Sequence, residues 1–182
     1  GLNGNTAQVN VASGFTNQGT IELGNVGSAY DARLRVVSGT LVNAAGATIQ
    51  SLQNIGGQRR IEAQLDNQGT VTIDWPTTLD WASSDHVNSG TINVNANLTV
   101  NQTGTTPSFT NTGTITTSAG QALLVYGGTL DQNAGSIGGA GALSLYSGAV
   151  GTFNTALGVG AFSLDHSTGT LTSDLSTAVT EV

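Results

Sequence analysis

A short segment that keeps returning constrains this chain more than any other feature. Phe15-Thr16-Asn17-Gln18-Gly19-Thr20-Ile21-Glu22-Leu23 comes back as Leu65-Asp66-Asn67-Gln68-Gly69-Thr70-Val71-Thr72-Ile73, and again as Phe109-Thr110-Asn111-Thr112-Gly113-Thr114-Ile115. With asparagine as the marker, copies sit at Asn17, Asn43, Asn67, Asn88, Asn111 and Asn133, with Asn154 a further candidate. The intervals are 26, 24, 21, 23, 22 and 21 residues. A repeat of this length belongs to a leucine-rich array, a propeller or a solenoid. No unit carries the i, i+3, i+4 spacing of a helix, and a propeller blade takes about 40 residues. Solenoid rungs fit.

Inside a unit the apolar residues alternate with period 2, as strands require. Val71, Ile73 and Trp75 share one parity, and Thr70, Thr72 and Asp74 share the other. A second apolar pair follows each corner: Leu34/Val36, Ile61/Ala63, Leu79/Trp81, Leu98/Val100, Leu123/Val125 and Leu143/Leu145. Val9/Val11 supply that pair at the start and Phe162/Leu164 at the end, and segments such as Gly39-Thr40-Leu41 add a third short strand. The expectation is an all-β, right-handed parallel β-helix (β-solenoid) in one domain over 1–182. It has about seven rungs of 21–26 residues, with three short strands per rung. Strands stacked about 4.8 Å apart would make a rod roughly 35 Å long. The corner positions follow: Asn17, Asn43, Asn67, Asn88, Asn111 and Asn133 as a stacked amide ladder. Gly19, Gly69, Gly90 and Gly113 are read as glycines that supply a positive φ.

Composition narrows function by exclusion. The net charge is −7, with four Arg, eleven Asp plus Glu and no Lys. Such a surface lacks the clustered cations that phosphate neutralisation needs, so nucleic acid is not an expected partner. No apolar run approaches the roughly 18 residues of a spanning helix, so membrane insertion is not expected either. Without Cys there is neither disulfide nor thiolate chemistry. Neither terminus reads as a capping rung, and the chain starts at Gly1. It is therefore expected to be a segment or repeat unit of a longer protein.

Rungs such as Phe109-Thr110-Asn111-Thr112-Gly113-Thr114-Ile115 and Val87-Asn88-Ser89-Gly90-Thr91-Ile92 resemble those of bacterial autotransporter passengers and filamentous-haemagglutinin-type adhesins. The resemblance runs from about Val9 to Leu164. It implies a secreted or surface-displayed bacterial protein whose right-handed solenoid serves as stalk or adhesive rod, and it carries over no catalytic residue. The expected function is thus non-enzymatic, structural and adhesive, with no cofactor, metal or catalytic residue. The expected partners are copies of itself stacked end to end, flanking rungs, and surface glycans.

Departures from the motif mark the candidate sites. The two longest corner loops, Gly24 to Ala32 and Ser51 to Arg59, lie in the first two units, and loops inserted at a solenoid corner often carry binding residues. All four arginines, Arg33, Arg35, Arg59 and Arg60, lie in or beside them. With Asp31, Glu62, Asp80 and Asp85 nearby in rung order, they read first as a ladder of outward ion pairs, and second as an anion or glycan site. Trp75 and Trp81, beside Asp74 and Asp80, suggest a carbohydrate groove, but both continue an inward parity and are expected to be buried. Asp74 and Asp80 are also the acidic pair a polysaccharide lyase or hydrolase would need. No spacing in the sequence sets them face to face across a sugar. His86 takes the place of Phe15 and Phe109 in the motif and is expected to pack at a corner. An outward column of Thr20, Thr48, Thr70, Thr91, Thr114 and Ser136 lies beside a mixed column of Glu22, Gln50, Thr72, Asn93, Thr116 and Gly138. That mixture speaks against an ice-binding face and for ordinary exposed strand residues.

Overall fold

The structure is a computed structural model that describes residues 6–25, 29–53, 55–173, 175 and 178–181. Residues 1–5 of the expected first rung, 26–28 and 54 of the two long loops, and the final Val182 lie outside the described residues. The described residues form twenty strands and no helix.

The strands assemble as three walls of a parallel β-solenoid of about seven turns. The first wall stacks β1 (Thr6–Val11), the start of β4 (Asp31–Asn43) and of β6 (Arg59–Asn67), β8 (Thr77–Asp80) and β11 (Leu98–Asn101). It continues through β14 (Ala122–Tyr126), β16 (Ser136–Tyr146), β18 (Leu157–Asp165) and β20 (Ala178–Glu181). The second wall holds β2 (Phe15–Asn17), the ends of β4 and β6, β9 (Asp85–Asn88), β12 (Ser108–Asn111), β15 (Thr129–Gln132), β17 (Val150–Phe153) and β19 (Thr168–Leu171). The third holds β3 (Thr20–Leu23), β5 (Thr48–Ser51), β7 (Thr70–Ile73), β10 (Thr91–Val94), β13 (Thr114–Thr117) and the starts of β16 and β18. β4, β6, β16 and β18 run through a corner as single strands, so two walls of those turns are continuous. The registers of β4 and β16 shift where they bend.

Alternation inside each strand sends one set of side chains into a narrow core. The first wall contributes a column of Val9, Leu34, Ile61, Leu79, Val100, Val125, Leu145 and Leu164. The third contributes Ile21, Ile49, Val71, Ile92, Ile115, Ile137 and Leu157. Away from the two ends nearly all of these are buried. Removing a Leu or Ile side chain from water contributes about 1.5–3 kcal/mol, and no rung can do so without neighbours.

The second wall differs because one of its two inward columns is polar. Asn17, Asn43, Asn67, Asn88 and Asn111 stack in register. Each of the first four donates from Nδ2 to the next Asn Oδ1, at 2.8, 2.7, 2.7 and 2.7 Å. The amide ladder is therefore present, but it ends before the expected Asn133. Gln132 holds the column position, buried opposite Asn111, and Asn133 is exposed. From Leu130 to Ile137 is one residue more than from Phe109 to Ile115. The period-2 register running on from Leu130 makes Gln132 inward, and the extra residue is absorbed at the corner, where Gly135 has φ +64°. Phe153 takes the next position, against Gln132, and Asn154 is exposed.

The motif glycines act otherwise than expected. Gly19, Gly69, Gly90 and Gly113 are not among the positive-φ residues. Gly69, Gly90 and Gly113 are needed because there is no room for a side chain. A Cβ on Gly90 would lie 2.1 Å from the Gly69 carbonyl oxygen, and one on Gly113 the same distance from that of Gly90. A Cβ on Gly69 would lie 2.4 Å from the carbonyls of Ala44 and Ala47, whereas at Gly19, in the first described turn, nothing lies within 4 Å. Each corner rests on the backbone of the one before it.

Candidate functional site

The two long loops and the first wall beside them collect nearly every charged candidate. Arg33 and Arg60 are adjacent on β4 and β6, and Arg35 lies opposite Glu62. Their side chains leave the core face because the strand parity that buries Leu34 and Ile61 turns these neighbours outward. Arg33 reaches Asp31 at 3.1 Å and Glu62 at 3.8 Å, while Arg35 approaches Glu62 at 4.0 Å. Arg60 pairs with Glu62 at 3.7 Å and Asp80 at 3.4 Å. Three guanidinium groups thus face three carboxylates, which leaves the cluster near neutrality. The Gln58 N–H donates to Asp31 Oδ1 at 2.8 Å and, despite burial, holds that carboxyl below its ordinary range. The outward ion-pair ladder is present, and exposed pairs of this kind contribute only about 0–1 kcal/mol each. Asp85 is not part of it; its carboxylate accepts from Ser108 Oγ at 2.7 Å.

Arg59 departs from the expectation. It is fully buried, and its guanidinium is ringed by backbone carbonyls instead of carboxylates. Nε donates to Leu23 O at 3.1 Å, and the terminal nitrogens donate to Tyr30 O, Gly56 O, Gln58 O and Leu52 O at 3.3–3.4 Å. Its Cζ lies 5.7 Å from the centre of the Trp75 ring. Burial pulls its pKa below the usual arginine value. Four carbonyls from the two long loops and that of Leu23 at the end of β3 converge on one cation, so Arg59 ties the loops together. Sequence parity contained this signal: Arg59, Ile61, Ala63 and Leu65 alternate on the same inward face.

The tryptophans are half-buried at corners instead of lying in the core. Strand β7 stops at Ile73, so its inward parity does not carry on to Trp75; the chain turns at Asp74–Pro76. The indole N–H of Trp75 donates to Gly57 O at 2.8 Å, in the long loop 18 residues before it. In β8 the inward pair is Thr77/Leu79, and Trp81 lies beyond the strand under Arg35, whose Cζ is 5.5 Å from its ring centre.

Asp74 and Asp80 share no partner. Asp74 accepts from Asn95 Nδ2 at 2.8 Å, whereas Asp80 is held by Arg60 and by Asn101 Nδ2 at 3.2 Å. Each carboxylate is bonded to its own neighbour one rung away. Among the described residues no three His, Cys, Asp or Glu gather as a metal would require.

A second polar group was only half legible. His86 sits in the apolar column between Leu65 and Phe109, 1% exposed and edge-on to the Phe109 ring at 6.4 Å. The Leu65 N–H donates to Nδ1 at 3.1 Å, Nε2 lies 2.9 Å from Ser84 Oγ, and Ser84 Oγ donates to Trp81 O at 2.6 Å. These bonds are consistent with one neutral tautomer, protonated at Nε2 and accepting at Nδ1. Burial lowers the His86 pKa to about 4, against a small upward pull from Asp85. A serine beside a histidine is the start of a nucleophilic dyad. Here both are buried and the hydroxyl proton is directed at a backbone carbonyl, so the pair braces a corner.

The outward threonine column is in register from Thr20 to Ser136, with the mixed column beside it. On the first wall, Tyr126 and Tyr146 stack at 4.8 Å and 15°, which parity alone did not single out.

Fold and site together define a parallel β-solenoid whose polar side chains bond largely from rung to rung. Comparison with family models, with curated proteins and with solved structures finds no match for the chain.

Proposed function

We propose that this solenoid is a non-enzymatic structural and adhesive rod of a bacterial cell-surface or secreted protein. The observation that supports this most is the use to which its polar side chains are put. The candidate arginines and aspartates, the ladder asparagines and the buried Ser84–His86 pair are bonded to neighbouring rungs or loop backbone. They hold the rod stiff by tying each turn to the next. Displayed on a bacterial host, the chain is expected to increase attachment of cells to glycan-coated surfaces, without turnover of any polysaccharide.

A second reading, a carbohydrate-binding or carbohydrate-cleaving β-helix domain, is favoured by the partial exposure of Trp75 and Trp81 beside the long loops. Flat indole faces stack on sugar rings. Acidic polysaccharides assayed with and without Ca²⁺ separate the two: turnover that disappears in Asp74→Ala and Asp80→Ala would replace the first reading. Glycan binding lost on shortening either long loop, with no turnover, would place adhesion at those loops.

A further inference from the structure

We propose that Tyr126 and Tyr146 form a modification site, at which a haem peroxidase with hydrogen peroxide joins two successive turns through a dityrosine bond. The site is separate from the adhesive reading and stands whether or not the rod binds a glycan.

Strand register brings the two rings together. Val125 and Leu145 are buried in β14 and β16, so the residue that follows each one points outward. Tyr126 lies opposite Tyr146 on these parallel strands, and the rung spacing sets ring over ring. The centroids are 4.8 Å apart and the planes 15° from parallel. Both side chains are half-exposed, so an oxidant and water reach them. Each phenol can give up one electron and its hydroxyl proton to become a neutral phenoxyl radical, with spin on the Cε carbons beside the oxygen. Two such radicals couple through their faces, because the new bond grows from orbitals perpendicular to each ring. Stacked rings already hold that approach. One electron from each ring makes the Cε–Cε bond. Each joined carbon then releases its hydrogen as a proton, which restores the aromatic ring, and each oxygen takes a proton back from water. The peroxide accepts two electrons and two protons and leaves as two waters. The sum is two phenols and one hydrogen peroxide giving one dityrosine and two waters.

The rest of the chain directs oxidation to this pair. It has no Cys and no Met, the side chains that oxidants otherwise consume. Each of the two tryptophans carries a guanidinium over its ring, Arg59 over Trp75 at 5.7 Å and Arg35 over Trp81 at 5.5 Å. A positive charge at that distance opposes removal of an electron from the indole. All four arginines lie at or before Arg60, whereas Tyr126 is three turns further along the first wall. The third tyrosine, Tyr30, precedes β4 and is four turns from Tyr126. Among the described residues no aromatic ring stacks on it, so a Tyr30 radical can be coupled only between chains. One bond at Tyr126 and Tyr146 would fasten β14 to β16 covalently in a chain that has no disulfide.

The test treats the full chain with a haem peroxidase and hydrogen peroxide. Dityrosine fluorescence is expected in a product that stays monomeric on denaturing electrophoresis, with a mass lower by two hydrogens. Its yield per chain should not change when the protein is diluted. Thermolysin digestion should release one cross-linked peptide pair containing Tyr126 and Tyr146. Tyr126→Phe and Tyr146→Phe, each shown by circular dichroism to be folded, should lose the monomer fluorescence, and Tyr30→Phe should keep it. Oxidation in concentrated urea, where the stack is lost, should give less monomeric dityrosine per chain than oxidation of the folded protein. Dityrosine found only in dimers, or none at all, would overturn the proposal. So would monomer fluorescence that survives either ring substitution, fluorescence that disappears in Tyr30→Phe, or equal yields with and without urea. None of these readouts involves a glycan, so they can fail while adhesion holds, and the reverse.

Discussion

His86 makes the solenoid sensitive to acid in a window that can be worked out in advance. Folded, the imidazole is neutral and titrates at about 4, because burial disfavours the charged form by more than Asp85 favours it; the Leu65 N–H donates to Nδ1 of that neutral ring. Unfolded, it titrates at its ordinary 6.5. The folded pKa is depressed, so the unfolded state binds the proton first. Stability is unaffected above pH 6.5, falls as pH drops toward 4, and levels off below. For these two values the loss is about 2 kcal/mol at pH 5 and about 3 kcal/mol at pH 4. In a chain of this size, 2 kcal/mol corresponds to roughly 4–8 °C in melting temperature. The assay compares melting of the wild type and His86→Leu from pH 7.5 to 4 by circular dichroism. The variant loses the bonds to Leu65 and Ser84 and is expected to start less stable, but that cost does not change with pH. Asp31, whose folded pKa is lowered, is present in both proteins and its contribution cancels. The wild-type curve should fall toward the variant's by the stated amount between pH 7.5 and 5. Parallel curves across that interval would refute the neutral buried histidine and the bonding chain assigned to it.

Other perturbations separate the remaining contributions. Asn67→Leu removes the middle of the amide ladder and leaves the Asn88 Oδ1 without its donor, so chemical denaturation should show a loss of about 2 kcal/mol. Arg59→Met removes one donor from each of five carbonyls, of which Leu23, Gln58, Tyr30 and Gly56 keep another, and should cost about 3 kcal/mol. Arg35→Met, which breaks one long surface pair, should cost no more than about 1 kcal/mol by the same measurement. Limited proteolysis should cut the loop at 24–30 sooner in Arg59→Met than in the wild type. Gly90→Ala and Gly19→Ala test close packing against backbone conformation. The first should cost about 1–3 kcal/mol, because a carbonyl 2.1 Å from the new Cβ must move. The second should be neutral or stabilise by up to about 1 kcal/mol, since its corner is open and its φ is not positive.

What the sequence determined by itself was whatever follows from periodicity. A repeat of 21–26 residues with period-2 alternation sets the class of fold, the inward columns from Leu34 to Leu145 and the asparagine ladder as far as Asn111. Those properties are local to each strand and are copied from rung to rung. The parity of Arg59 with Ile61 belonged to the same signal. The fate of its charge did not, because the carbonyls that surround it come from Leu23 at the end of β3 and from Tyr30, Leu52, Gly56 and Gln58 in two loops of different rungs. Corners were the other limit. A strand's alternation stops where the chain turns, which is why Trp75 and Trp81 are not core residues and why Gln132, not Asn133, continues the ladder column. The role of Gly69, Gly90 and Gly113 was settled by the rung stacked against each one, at a distance no single unit encodes. Tertiary structure alone decided which polar groups meet. Contacts within a strand follow from residue parity, whereas contacts between corners depend on how successive turns of unequal length come to rest on one another.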